Sequence, residues 1–358
     1  MMTSRLTVWG RPPLGTAARR PVPRLPFPLE EPTCRIYSRA RHALFAAVRR
    51  IGVAEGDEVL APAYHHGSEI EALVRAGLTC RFYDVGPGLE PDPDEVGALV
   101  GPRTRALLLV HALGRPQDAA FWRGWCDDRG LLLFEDAAQA WLGTSDGLPL
   151  GARGDVAIFC LYKSLPLPDG AALVCNDPPT PTGPDGSRAL RLSRHQLVTT
   201  MQNSARLTRL ATRVRAGAGY AALRDFALGD PTTPVSPATD FLLRRLARPD
   251  VPSRRRANYE RLVEHLGARV RPPFDELAPG ASPMVLPVLV AADEKTSVLE
   301  RLARHEIDAL DYWSVPHPTL PAERFPRSAE LRASIIGLPV HQDLSARDLE
   351  RIAAAMPD

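Results

Sequence analysis

Nothing in this 358-residue chain is apolar for long enough to cross a membrane, and its first residues, MMTSRLTVWGRPPLG, lack the apolar core of a signal peptide. Neither charge sign dominates. Forty-four Lys and Arg against 42 Asp and Glu leave a net charge of +2, so bulk charge argues for neither nucleic acid nor membrane as a partner. The five cysteines, Cys34, Cys80, Cys126, Cys160 and Cys175, are dispersed and form no C-x-x-C pair. That argues against a disulfide or zinc framework and fits reduced thiols in a cytoplasmic protein. Internal repeats are absent. The adjacent His65-His66 pair is read as structural or ring-stacking rather than metal-binding, so no metal is expected.

What the chain does contain is an alternation of short apolar runs and helical patterns, the signature of an α/β protein with a mostly parallel sheet. Its length suits one large α/β unit and a smaller one. Two runs stand out. Leu131 to Phe134 ends in Glu135-Asp136, and Val156 to Leu161 ends in Tyr162-Lys163-Ser164. Each is short enough for a buried parallel strand, and each places its charged residue at the carboxyl end, where open α/β sheets hold ligands. A buried Asp that pairs with a pyridinium nitrogen and a Lys that forms a Schiff base are the two groups pyridoxal phosphate chemistry requires. The bland alternative is a helix-capping Asp and a solvated Lys.

The neighbouring residues narrow the choice. EDAAQA at 135–140, Gly154-Asp155, and a strand running into Lys163 and Asp169-Gly170 resemble the DegT-type (DegT/DnrJ/EryC/StrS) sugar aminotransferases, a branch of the fold-type I pyridoxal phosphate enzymes. The resemblance covers roughly residues 36–177 and 253–356, and the late segment Ile336 to His341, IGLPVH, supports it. It implies a central sheet flanked by helices, a smaller C-terminal α+β domain, and pyridoxal 5′-phosphate as cofactor. It makes Lys163 and Asp136 the catalytic pair. Gln139 approaches the cofactor's phenolic oxygen, His66 stacks on its ring, and the helix start at Ala40-Arg41 takes the place of a Gly-Thr pair that holds the phosphate through backbone N–H groups. Arg41 adds a charged contact or is a solvated arginine. His111 lines the site or is a satisfied strand-end histidine.

Three departures from the family accompany these matches. The segment Phe159 to Lys163 is two residues shorter, and Cys160 replaces a phosphate-binding Ser. A thiol donates poorly, so Ser164 is expected to substitute. The crossing "NYR" loop has no counterpart, with PTTPVSPATDF at 231–241 in its stead. Finally, Arg188 to Arg224 carries arginines and no acid, which reads as a basic amphipathic helix or helix pair: a solvated face or dimer contact first, or else an attraction for a phosphorylated substrate or for a membrane or nucleic-acid surface.

The expected organisation is an N-terminal arm over 1–36, a large cofactor-binding domain over 37–252 with a divergent helical segment at 176–252, and a small domain over 253–358. The expected activity is transfer of an amino group, from L-glutamate, to a keto-sugar linked to a nucleotide, by a homodimer without nucleic-acid or membrane partners. The alternatives are a same-fold enzyme acting on a cyclitol or other small ketone, and a non-catalytic protein of the same fold.

Overall fold

The computed structural model describes residues 5–10, 16–179, 226–274 and 276–357. Seven strands form the main sheet: β1 (Cys34–Tyr37), β2 (Glu58–Pro62), β3 (Thr79–Tyr83), β4 (Thr104–Val110), β5 (Leu132–Asp136), β8 (Val156–Cys160) and β9 (Ala171–Cys175). A two-stranded ribbon, β6 (Thr144–Ser145) and β7 (Leu148–Pro149), intervenes. Across the sheet the order is β1-β9-β8-β5-β4-β2-β3. The pairs from β3 to β8 are parallel, and β9 and β1 add an antiparallel edge.

The apolar runs become the central strands because both faces of such a sheet are covered by helices. Leu107, Leu108 and Leu109 of β4 and Leu133 of β5 have no exposed surface. The covering helices are α1 (Ala40–Arg50), α2 (Ser68–Arg75), α3 (Pro93–Ala98), α4 (Ala119–Asp127) and the single turn α5 (Leu161–Ser164). Two local details run against what the residue types suggest. Ser38, of a type favoured at helix N-caps, does not cap α1. Arg39 occupies that place, and the Ser38 hydroxyl instead meets His42 Nδ1 at 3.1 Å. The last strand before Lys163 stops at Cys160, so Lys163 lies on a helical turn rather than on the strand's continuation.

The chain then runs through α6 (Pro237–Leu246) and the long α7 (Val251–Leu266) into a second sheet. That sheet is antiparallel, in the order β10 (Val285–Leu289), β12 (Ile335–Pro339), β11 (Leu310–Asp311), and it is flanked by α8 (Lys295–Arg304), α9 (Pro326–Ser334) and α10 (Ala346–Ala355). Its apolar side chains and those of the large sheet form one continuous cluster. The basic segment 188–224 lies outside the described residues. Within 231–241, Ser236 opens α6 by accepting from Ala238 N, so half of that proline-rich stretch is helix.

Buried polar residues stitch the second sheet to the carboxyl ends of the large one. Asp84, just beyond β3, accepts from the N–H groups of Arg327 and Ser328 at 3.0 and 2.9 Å and so caps α9. From α9, Arg332 reaches back to the carbonyls of Ala63 at 2.6 Å and His65 at 3.1 Å. The N-terminal residues contribute as well. Leu6 bridges to Ile307 of the second unit, and the Phe27 carbonyl accepts from Trp141 Nε1 at 2.8 Å.

Candidate active site

The parallel strands β2, β4, β5 and β8 end side by side, and their carboxyl ends surround a cleft that opens to solvent, the place where open α/β sheets hold ligands. Asp136 closes β5, His66 follows β2, Cys160 closes β8 and Lys163 lies on the turn after it; all four line the cavity, with Gln139, Ala40 and Arg41. Of the eight residues given a catalytic or cofactor-holding role in the sequence, only Ser164 is absent from the lining. It is 3% exposed and buried behind the wall, its carbonyl held by Arg255 and Gln342. His111 is not in the wall either. Its Nε2 meets Glu135 at 3.1 Å and its Nδ1 accepts from Gln117 N at 3.0 Å, so it is the satisfied strand-end histidine.

Two acids, Asp136 and Glu69, line the cavity, and their pKa values are shifted in opposite directions. One oxygen of Asp136, Oδ1, accepts from Ala138 N at 2.8 Å, and the other has no hydrogen-bond partner among the described residues. Burial pushes its pKa up to about 6, nearby Glu69 adds to the rise, and Lys163 opposes it. Glu69 accepts from His66 N at 2.9 Å. Burial works to raise its pKa, but His66, His65 and those backbone N–H groups outweigh burial and hold it below the ordinary carboxylate range. His66 is driven down to about 4, by burial first and then by Lys163, Arg41 and Arg332 against the pull of Glu69. Its ring is therefore neutral at pH 7, as a stacking surface requires. Gly67 sets the turn after it. At φ +106 the backbone is left-handed, and a Cβ there would lie 2.7 Å from the Phe226 ring.

The Gln139 amide has a fixed orientation. Its Oε1 accepts from Leu113 N at 2.6 Å and from Tyr312 Oη at 2.5 Å. The amide nitrogen is thereby left to face the cavity as a donor. Trp313, from the loop after β11, lines the cavity, and behind it the rings of Tyr64 and Tyr312 each lie 5.0 Å from its own. At the opposite end, α1 begins with Arg39, Ala40 and Arg41 in the lining. The Arg39 side chain supplies no cap. A helix start without a side-chain cap presents N–H groups and a positive dipole end to an anion.

This set fits a pyridoxal 5′-phosphate group on its donor chemistry. It offers a buried carboxylate with one unengaged oxygen, a lysine amine without an ion pair among the described residues, a neutral flat ring and an anion-accepting helix end. Cys160 fits least. Burial raises its thiol pKa, so it remains a neutral, weak donor.

Glu69, Tyr312, Trp313 and Arg39 were missed in the sequence. Glu69, three residues past His66 at a helix start, carried a usable signal, since an acid there can reach back to backbone N–H groups. The aromatic pair gave none, because only the packing of the second sheet brings it to the cavity.

Residues 33–206 match the DegT/DnrJ/EryC1/StrS aminotransferase family. Over 142 residues the chain is 38% identical to a dTDP-3-amino-3,4,6-trideoxy-alpha-D-glucose transaminase of Streptomyces venezuelae, which covers 38% of this chain and 37% of that protein. Over 138 residues it is 31% identical to a GDP-perosamine synthase of Vibrio cholerae, 37% of each chain. The chain thus matches about two-fifths of the length of these curated relatives. In three dimensions the likeness is broader. A crystal structure of S. venezuelae DesV in complex with a ketimine intermediate superposes with a TM-score of 0.67 and 25% identity, covering 90% of this chain and 83% of that one. The matched stretch, residues 33–206, holds all seven strands of the large sheet and every residue of the cavity wall but Trp313, and over it the chain is similar to the DegT/DnrJ/EryC1/StrS aminotransferase family.

Proposed function

We propose that the protein is a pyridoxal 5′-phosphate-dependent aminotransferase that moves an amino group from L-glutamate to a keto group of a nucleotide-linked sugar. The observation that carries this reading is the meeting of Lys163 and Asp136 in one cavity, beside the open start of α1. Both named relatives are enzymes of nucleotide-linked amino sugars, which supports the acceptor class. When bound, the cofactor supplies an electron sink for the pair left at an amino acid's α-carbon.

The chain's own residues do the rest. Backbone N–H groups at Ala40 and Arg41, with the Arg41 guanidinium, hold the phosphate. His66 covers the ring face and the Gln139 amide nitrogen donates to the phenolic oxygen. Asp136 keeps its carboxylate against the ring nitrogen, and the bound positive charge there reverses the rise in its pKa. Lys163 Nζ is the attachment point and, when unattached, the base that carries the proton at the donor's α-carbon. Trp313, backed by Tyr312 and Tyr64, excludes water from that side. We expect the enzyme to work in the cytoplasm as a homodimer, the commonest closed assembly.

Borohydride treatment of protein incubated with pyridoxal phosphate should fix the cofactor on the Lys163 peptide, and Lys163→Ala should abolish the labelling. Persistent labelling of another lysine would overturn the assignment. Single-turnover reaction of the aminated enzyme should be fastest with nucleotide-linked keto-sugars. Equal rates with free cyclitols would sink the acceptor class while leaving the aminotransferase.

A further inference from the structure

Lys163 is carried by one helical turn, Leu161–Ser164. A single turn has no stability of its own, and its final carbonyls lack partners within the helix. Its one closing bond runs from Leu165 N to Leu161 O at 2.9 Å. The donors that complete it come from the far side of the chain. Arg255, on α7, is 1% exposed and directs Nη2 to the Ser164 carbonyl at 2.8 Å and the Lys163 carbonyl at 3.4 Å. Its Nη1 reaches Pro283 O at 3.1 Å and its Nε reaches Gln342 Oε1 at 2.8 Å. Gln342, before α10, turns its own amide nitrogen to the same Ser164 carbonyl at 3.3 Å.

No acid forms an ion pair with Arg255 among the described residues. Burial lowers its pKa to about 10, and the charge of Asp343 opposes this only in part. A buried guanidinium without a counter-ion is expensive to keep. A mere structural plug would be cheaper as an apolar side chain, whereas a fork of five fixed donors is suited to gripping several carbonyls at once.

We infer that Arg255, braced by Gln342, is a positioning residue for Lys163: it fixes the turn that aims the Lys163 amine into the cavity and ties that aim to the seating of the second sheet. The inference rests on the cofactor reading above. In Arg255→Met the two carbonyls lose their donors and the turn loosens. Attachment of pyridoxal phosphate to Lys163, followed by borohydride fixation, should then slow by roughly a hundredfold, the usual penalty for an ångström of misplacement. The pH midpoint of the attached cofactor's absorbance should move by about one unit as the amine's surroundings change. Arg255→Lys should recover part of both, and Gln342→Met should shift both in the same direction by less.

Val288→Ala, in the core of β10, is the control. It should lower stability and leave rate and midpoint untouched. If Arg255→Met fails to fold, Gln342→Met against Val288→Ala decides the matter alone. Variants at 255 and 342 that lose stability yet keep the native rate and midpoint would overturn the inference and leave the cofactor reading intact. Absence of attachment in the unsubstituted protein would overturn both.

Discussion

Replacing Asp136 by Asn in the cofactor-free protein tests the site without any turnover. The Asp136 carboxyl rises from 3.8 to about 6 on folding, chiefly because it is buried, and also because ionised Glu69 is close. A carboxyl whose folded pKa exceeds its unfolded one binds its proton more tightly in the native state. Its contribution to stability is therefore complete below about pH 3.8 and is lost as pH rises through about 6. Two pK units at 1.36 kcal/mol each come to about 3 kcal/mol. Asn cannot ionise, and its carbonyl oxygen can still accept from Ala138 N, so the variant escapes this loss. Urea unfolding of the two cofactor-free proteins should give nearly equal midpoints at pH 4. At pH 8 the Asn variant should be the more stable, by up to about 3 kcal/mol. Adding Glu69→Gln should shrink the gap, since that charge contributes to the rise. The same Asn variant should lose most of its turnover once loaded, because an amide cannot hold a proton on a ring nitrogen. A pH-independent difference, or an Asn variant less stable at pH 8, would refute the burial argument.

Other perturbations separate neighbouring roles. His66→Phe should retain pyridoxal phosphate better than His66→Ala, because a flat ring is what the position supplies; equal losses in equilibrium dialysis would remove His66 from the ring face. Asp84→Ala should leave the Ser328 and Arg327 N–H groups without their acceptor and lower stability by about 2–4 kcal/mol, read from the shift in the urea midpoint. Leu108→Ala, in the doubly covered strand β4, should cost about 2–5 kcal/mol by the same measure with little effect on cofactor affinity. Gly67→Ala forces a left-handed backbone and a clash with Phe226, and its cofactor affinity should fall more than its stability does; the reverse order would mean the turn does not set His66.

The parallel sheet was legible because a strand covered on both faces must be apolar throughout, and the runs at 106–110 and 131–134 are. Lys163 and Asp136 were legible for the complementary reason: a charged residue ending such a run is conspicuous. The start of α1 was marked as well, by its place ahead of an apolar helical face. The sequence misdirected at Ser38, which resembles a helix cap but meets His42, and at Ser164, which resembles a phosphate donor but turns into the wall. In each case a competing partner decided, and partners distant in sequence leave no local trace.

The covalent order of the chain by itself determined which strand ends carry the acid and the amine, since period and polarity are properties of neighbours along the chain. Tertiary structure alone decided what surrounds them. Gln139 received its orientation from Tyr312, 173 residues away, and the Lys163 turn received its donors from Arg255 and Gln342. Glu69 and burial together set the protonation of Asp136. Orientation, desolvation and field depend on distances through space, and those distances exist only once the second sheet has docked against the first.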